Sequence, residues 1–287
     1  MRPGGPRLEL CEVLSRRRVG AYHTLSLVAP QIAGAARAGQ FVGLVAGADR
    51  SFLLRRPFSI HQVERHGPNF GSIELVFDVV GPGTRALAEL RPHDVVDVLG
   101  PLGRPFTLPQ EPVPCLLVGG GYGVAPLFFL AEELRVRGCR IDFVVGASTG
   151  ERLFKAIEAK RLGRTAVVTT EDGSFGQRGV VTDALPALMA QARSAMVYAC
   201  GPMPMLAAVS RVAAAAGVPC EVAVEEQMAC GTGICFSCVV PVADAAAPEG
   251  TRMARSCTEG PVFDGLAVAW HELGHPALAA VPGELTP

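Results

Sequence analysis

Charge excess, membrane-length apolar runs and internal repeats are what this chain of 287 residues lacks. Lys and Arg number 26 against 27 for Asp and Glu, a formal net charge of −1. No global basic field therefore exists to hold nucleic acid or an anionic lipid surface. The basic residues are nearly all Arg, and the run Arg16-Arg17-Arg18 reads as a solvated turn. No apolar stretch reaches the roughly 18 residues that span a bilayer. The start, Met1-Arg2-Pro3-Gly4-Gly5-Pro6, has no apolar leader segment. A reduced, cytoplasmic setting without membrane attachment is the expectation. Gly and Pro are abundant but spread through the chain, which favours many turns over disorder.

What is present is concentrated near the end. Cys230-Gly231-Thr232-Gly233-Ile234-Cys235-Phe236-Ser237-Cys238 is followed at a distance by Cys257. The spacing C-x4-C-x2-C with a remote fourth Cys is that of a plant-type 2Fe–2S cluster, which moves electrons one at a time. Gly231 and Gly233 suit it: a loop that wraps thiolates round two irons needs angles that a Cβ resists, and must bring amides near sulfur. Two other chemistries compete. A structural zinc site pairs two short knuckles, and only Cys235 and Cys238 form one. Disulfide staples are the other, but this length at a mean hydropathy of +0.32 supplies a core without them. Cys11, Cys115, Cys139, Cys200 and Cys220 lie in apolar surroundings and read as small buried hydrophobes.

Length favours about two domains. Before residue 108, strand-like runs at 22–28, 41–45, 58–63, 73–80 and 95–99 predict a small antiparallel β-barrel. The proline-rich stretch 101–114 reads as a hinge. Beyond it the rhythm alternates, with strands at 115–119, 141–146, 165–170, 196–200 and 221–224 and helices at 125–137, 153–160, 181–191 and 204–216. Such alternation predicts a parallel sheet covered by helices. Its strands are continuous apolar runs, as burial of both sheet faces requires. A hairpin is expected between 239–242 and 262–270. The fold class is thus multidomain α+β and α/β: an antiparallel β-barrel over 1–108, a Rossmann-like parallel α/β domain over 109–224, and a small cluster-binding subdomain over 225–287.

Gly119-Gly120-Gly121-Tyr122-Gly123-Val124-Ala125-Pro126 lies between the first strand and helix of the alternation. Glycines there bring backbone close to a pyrophosphate, and the helix N-terminus favours its charge. The strict G-x-G-x-x-G pattern is not met, and tight packing competes as the reason for the glycines. Cys200-Gly201-Pro202 ends a later strand, where open sheets take ligands. Alone it is better explained as a plain turn with Pro at a helix start. In the barrel, Arg56-Pro57-Phe58-Ser59 offers a diphosphate clamp, a ring contact and a hydroxyl; alone it is a strand with a basic start. Gly83-Thr84, before a helical 85–90, is a second anion-binding turn with Thr84 placed like an N-cap.

These pieces stand in an order that resembles the ferredoxin–NADP reductase superfamily. More narrowly, it resembles the electron-transfer subunits of bacterial NAD-dependent dihydroorotate dehydrogenases. The most specific stretch is Glu225-Glu226-Gln227-Met228-Ala229 running into the cysteine loop, and Gly39-Gln40-Phe41-Val42 and Leu54-Arg55-Arg56-Pro57 are also family-like. The resemblance implies FAD held by Arg56, Pro57, Phe58 and Ser59, with Val76, Phe77, Asp78, Gly83 and Thr84 completing the site. It implies NAD(H) at Gly119, Gly120, Gly121, Gly123, Ala125, Pro126, Cys200, Gly201 and Pro202, and a 2Fe–2S cluster on Cys230, Cys235, Cys238 and Cys257. Two positions depart from the family: Phe58 stands where Tyr is common, and Asp78 where a basic residue is usual.

The implied job is to pass electrons between cluster, FAD and NAD(H), with no acid–base residue required. The implied partner is an FMN-containing dihydroorotate dehydrogenase catalytic subunit, two copies of each forming a heterotetramer that serves pyrimidine biosynthesis. The chain has no second barrel with which to oxidise dihydroorotate itself. NAD rather than NADP rests on the resemblance, since Ser148, Thr149 and Glu151 near the adenosine ribose do not decide it. The nearest alternative is a flavin and iron–sulfur subunit of a ferredoxin-dependent transhydrogenase or sulfide-type reductase. Some of those replace the first cluster cysteine, which is present here as Cys230. A zinc-binding regulatory module on a reductase-like scaffold is the alternative from another class.

Overall fold

The computed structural model of the chain describes residues 5–45, 53–65, 67 and 70–274. β1 (Arg7–Val19), β2 (Tyr22–Val28), β3 (Phe41–Leu44), β4 (Arg56–Arg65), β5 (Gly71–Phe77) and β6 (Val95–Leu102) close an antiparallel barrel in the order β1-β2-β5-β4-β3-β6. α1 (Pro30–Ala35) and α2 (Pro82–Glu89) lie between its strands. β1 was not among the expected strands. Only Cys11 and Val13 of it are buried, because it turns its polar side chains and Leu8 and Leu10 outward. Arg16, Arg17 and Arg18 belong to this strand, opposite Leu25, Thr24 and His23 of β2, rather than to a turn. The turn follows at Gly20, whose φ of +60° suits a residue without Cβ.

β7 (Pro114–Gly120), β8 (Arg140–Ala147), β9 (Thr165–Thr170), β10 (Gln177–Arg178), β11 (Met196–Cys200) and β12 (Cys220–Ala223) form a parallel sheet in the order β10-β9-β8-β7-β11-β12. α3 (Ala125–Val136), α4 (Ala156–Leu162), α5 (Val181–Ala192) and α6 (Met203–Ala215) connect the strands. Leu116–Val118, Phe143–Val145 and Val197–Ala199 are essentially inaccessible to solvent, as a sheet covered on both faces demands. The chain order reverses between β7 and β11, and a crevice opens there at the strand C-termini. α4 begins later than expected, because Phe154 is buried and Lys155 takes a left-handed φ of +47° before the helix can start.

β13 (Val239–Ala243) pairs along its length with β14 (Thr251–Arg255). It meets the 262–270 segment expected through a single antiparallel bridge, Val242 to Val268, flanked by backbone hydrogen bonds from Ala243 to Ala267 and from Ala269 to Pro241. In β14 Arg252 and Met253 face solvent, so the strand carries no apolar signature. β15 (Val262–Asp264) instead runs antiparallel along β12 and ties the cysteine region to the sheet. The stretch expected as a hinge is stitched down. β6 runs into it as far as Leu102, Phe106 is 1% exposed, and Tyr198 Oη donates to the Thr107 carbonyl at 2.6 Å. Among the described residues no helix is long and apolar enough to cross a membrane.

Candidate functional site

The barrel holds a cavity of about 310 Å3. β4 brings Arg56, Pro57, Phe58 and Ser59 to it, and the neighbouring β5 brings Val76 and Phe77, with Asp78 just beyond. Phe58 and Phe77 pack with ring centroids 5.5 Å apart, forming an apolar wall. Thr84 also lines the cavity, but from the third residue of α2 and not from an N-cap. Its Oγ1 accepts from the Val80 and Gly81 amides at 3.0 and 3.2 Å. A Cβ on Gly83 would come 2.6 Å from Arg56 Nε, so glycine lets the guanidinium lie against the helix start. Asp78 does not confront a phosphate unpaired, because its Oδ2 accepts from Arg152 at 2.7 Å. That ion pair crosses from barrel to α/β domain.

A second cavity of about 490 Å3 opens at the crevice of the sheet. Gly120, Gly121 and Gly123 line it from one turn and Pro202 from the other. The turns touch through backbone: a Cβ on Gly123 would lie 2.7 Å from Gly201 Cα. Gly119, Cys200 and Gly201 stand behind this surface. Gly119 is a packing glycine, since a Cβ there would come 2.4 Å from Val124 Cβ, and Cys200 is buried, which raises its thiol well above the ordinary range. Ala125 and Pro126 face the barrel cavity instead. Ser148 lines the sheet cavity, as do Arg152 and Glu171.

The two cavities meet at Tyr122, Gly123 and Glu225, which line both. Glu225 is open to this shared space, yet protein surrounds it on its other sides, and that burial raises its carboxyl above the ordinary range. Burial, with Glu225 as the largest neighbouring charge, pushes the Tyr122 phenol up to about 12, so it stays a neutral donor. Glu225 and Glu171 stand just past the ends of strands β12 and β9, and an acid at the C-terminal end of a parallel strand is the signal that could have marked them.

The cysteine loop leans on the other side of the barrel cavity. A small cleft beside Cys230 and Gly231 is walled by Phe41, Pro57 and Met228, which also line that cavity. Cys238 immediately precedes β13 and Cys257 follows β14, so the hairpin sets them side by side. Both are buried with Phe41 and Leu102. Cys230 is half-buried and Cys235 exposed. Gly231, Gly233 and Phe236 take φ of +68°, +87° and +57°, turning the loop tightly enough to aim its amides at sulfur. Cys230 Sγ accepts from the Thr232 and Ile234 amides at 3.4 and 3.3 Å. Desolvation opposes its ionisation, but hydrogen bonds from Thr232 and Cys235 outweigh that and bring the thiol down to about 6. Cys11, Cys115 and Cys220 are instead pushed up to about 12, by burial above all.

Among the described residues, no three His, Cys, Asp or Glu side chains gather round one ion-sized point. Cys235 is a hydrogen-bonding neighbour of Cys230, and Cys238 of Cys257, while Cys230 also lies near enough to Cys257 to act on it electrostatically. Four cysteines brought together by one loop and one hairpin, with amides directed at the Cys230 sulfur, fit a binuclear cluster.

Residues 225–269 match the family described as the iron–sulfur cluster binding domain of dihydroorotate dehydrogenase B, and residues 117–211 match the oxidoreductase NAD-binding domain. The chain is 40% identical over 242 residues to the dihydroorotate dehydrogenase B (NAD(+)) electron transfer subunit of Desulforamulus reducens, covering 84% of this chain and 90% of the relative. It is 38% identical to the Geobacillus thermodenitrificans subunit, covering 89% and 96%. Among solved structures, an NADH-dependent reduced ferredoxin–NADP oxidoreductase studied for flavin-based electron bifurcation aligns with a TM-score of 0.78 at 32% identity, over 92% and 91% of the two chains. A ferredoxin–NADP+ reductase from Neisseria gonorrhoeae with bound FAD and NADP shares the fold, with a TM-score of 0.59 at 19% identity over 73% and 92%. With its barrel, its nucleotide-binding sheet and its cysteine loop in this order, the chain belongs to the family of dihydroorotate dehydrogenase B (NAD(+)) electron transfer subunits.

Proposed function

We propose that this protein passes electrons between NAD(H), FAD and a 2Fe–2S cluster, and through the cluster links an FMN-containing dihydroorotate dehydrogenase catalytic subunit to NAD+. The observation that carries this reading is the order of the spaces. The sheet cavity touches the barrel cavity at Tyr122, Gly123 and Glu225, and the barrel cavity touches the cysteine loop at the separate set Phe41, Pro57 and Met228. Nucleotide, flavin and cluster would thus stand in line with the flavin between. Bound FAD supplies the conversion between a two-electron hydride and single electrons, and the cluster supplies the one-electron exit.

The chain's own residues bind and orient. Arg56 beside the first turn of α2 suits a diphosphate. Phe58, Val76 and Phe77 offer an apolar face to the flavin, and Ser59 a hydroxyl. Gly120, Gly121 and Gly123 let backbone approach the pyrophosphate of NAD(H). Ser148 and Glu171 line the sheet cavity and not the barrel cavity, and the adenosine ribose would fall beside them. The Glu171 carboxylate suits ribose hydroxyls and repels a 2′-phosphate, which supports NAD over NADP. Nothing here is assigned to dihydroorotate, whose oxidation is left to the partner.

The test mixes the FAD- and iron-loaded chain with a dihydroorotate dehydrogenase B catalytic subunit, dihydroorotate and NAD+. The expected result is a complex with two copies of each chain and NADH formed only when both are present. Absence of a complex, or NAD+ left oxidised, overturns the reading. The 0.78 TM-score likeness favours a second reading, a subunit of a ferredoxin-linked transhydrogenase. It requires electron exchange with reduced ferredoxin in the same assay without dihydroorotate.

A further inference from the structure

β4 carries Arg56–Ser59 at the barrel cavity, and two residues on it buries His61 completely between barrel and α3. His61 Nδ1 lies 2.6 Å from the Ala125 carbonyl, so that nitrogen holds the proton and donates it. In the neutral ring Nε2 is then an acceptor, and Lys155 Nζ donates to it at 2.8 Å. Phe128 and Phe154 stand edge-on to the imidazole, at centroid distances of 5.6 and 5.3 Å. The same two rings lie 6.0 and 5.6 Å from the Lys155 ammonium. Gln62 Oε1 at 3.5 Å and Glu74 Oε1 at 3.8 Å complete its polar surroundings.

Both partners of His61 come from the segments that form the sheet cavity. Ala125 opens α3 directly after the glycine turn. Lys155 ends the loop that follows β8, whose Ser148 and Arg152 line that cavity. Lys155 takes a φ of +47°, which a side chain with a Cβ adopts only when its surroundings over-determine it. The same loop is stitched to the barrel at Arg152 as well, where Tyr22 Oη donates to its carbonyl at 2.8 Å and its guanidinium reaches Asp78. In that conformation the Lys155 side chain reaches His61 across the domain boundary.

We propose that His61 and Lys155 are positioning residues for hydride transfer: they clasp both nucleotide-binding segments to the flavin-binding strand and so set how closely the nicotinamide meets the flavin. The inference rests on the flavin and nucleotide reading of the two cavities. Hydride passes, with its electron pair, only when donor carbon and acceptor nitrogen approach to about 3–3.5 Å, and a misplacement of about 1 Å costs about 100-fold in rate. A clasp acts on that distance without touching either ring.

The test uses the FAD- and iron-loaded chain and two variants. Lys155→Met keeps the apolar stem over Phe128 and Phe154 but removes the donor, and Lys155→Gly removes the side chain while accepting the left-handed backbone. Flavin reduction at saturating NADH is expected to slow by about 10- to 100-fold in both, with FAD and iron contents retained and NAD+ affinity by calorimetry little changed. In the cofactor-free chain, amide hydrogen exchange over 148–155 is expected to speed up in both variants. Reduction as fast as in the unaltered chain, or a rate loss that only follows loss of FAD, overturns the clasp. If NADH fails to reduce the flavin of the unaltered chain, the reading of the cavities itself falls and takes the clasp with it.

Discussion

Where the barrel cavity presents side chains, Arg56, Phe58, Ser59 and Thr84 among them, the sheet cavity presents backbone along Gly120, Gly121 and Gly123. The two share a wall and serve one electron path, but they respond differently to change. A site made of side chains loses affinity in steps, one hydrogen bond or ring contact at a time. A site made of backbone in contact with backbone closes at once, because neither surface has a flexible end to move aside.

The sharpest way to break that comparison is Gly123→Ala. The new Cβ meets Gly201 Cα at 2.7 Å, Gly201 N at 3.0 Å and the Cys200 carbonyl at 3.1 Å, all backbone. NADH-driven flavin reduction should fall by about 100-fold or more, while dithionite still reduces any flavin retained. A variant that keeps its rate would show that the two turns can part. On the side-chain cavity, Arg56→Ala removes charged hydrogen bonds worth about 1.5–3 kcal/mol, so FAD should bind about 10- to 150-fold more weakly by titration of the apoprotein. NAD+ affinity should hold; if it drops in parallel, the cavities are one site and not two.

Smaller effects sharpen the picture. Glu171→Lys replaces repulsion of a 2′-phosphate by attraction, and the kcat/KM preference for NADH over NADPH should shrink by about 10-fold. An unmoved preference would place the ribose elsewhere. The smallest effect concerns Glu225, whose burial raises its carboxyl above 4.5. The folded chain therefore holds a proton that the unfolded chain releases. Stability gained below that ordinary value is lost as pH rises through the raised pKa. Urea denaturation at a series of pH values should show this fall, and Glu225→Gln should flatten it.

Much of the α/β domain was legible because its strands are short apolar or β-branched runs alternating with helices: 165–170 and 196–200 were read to the residue. β1 and β14 were not, since each buries few side chains and is held by ladder hydrogen bonds that leave no mark on composition. The barrel residues named for the flavin line one cavity, with Gly83 just behind Arg56. The nucleotide residues divide, with Ala125 and Pro126 turned to the barrel and Gly119 spent on packing. Glu171 and His61 went unnamed, because a lone acid at a strand end or a lone histidine in a strand has no local pattern.

What the sequence by itself determined is the chemistry available. Cysteine spacing within one loop and glycines within one turn act over a few bonds, and their geometry follows from neighbours in the chain. What only the tertiary structure decided is how those chemistries meet. Tyr122 and Glu225 share a wall, Met228 and Phe41 join flavin cavity to cysteine loop, and His61 reaches Lys155 94 positions away. Such meetings arise when barrel and sheet bury their common face. Packing over long sequence separations sets them, and no local run of residues encodes them.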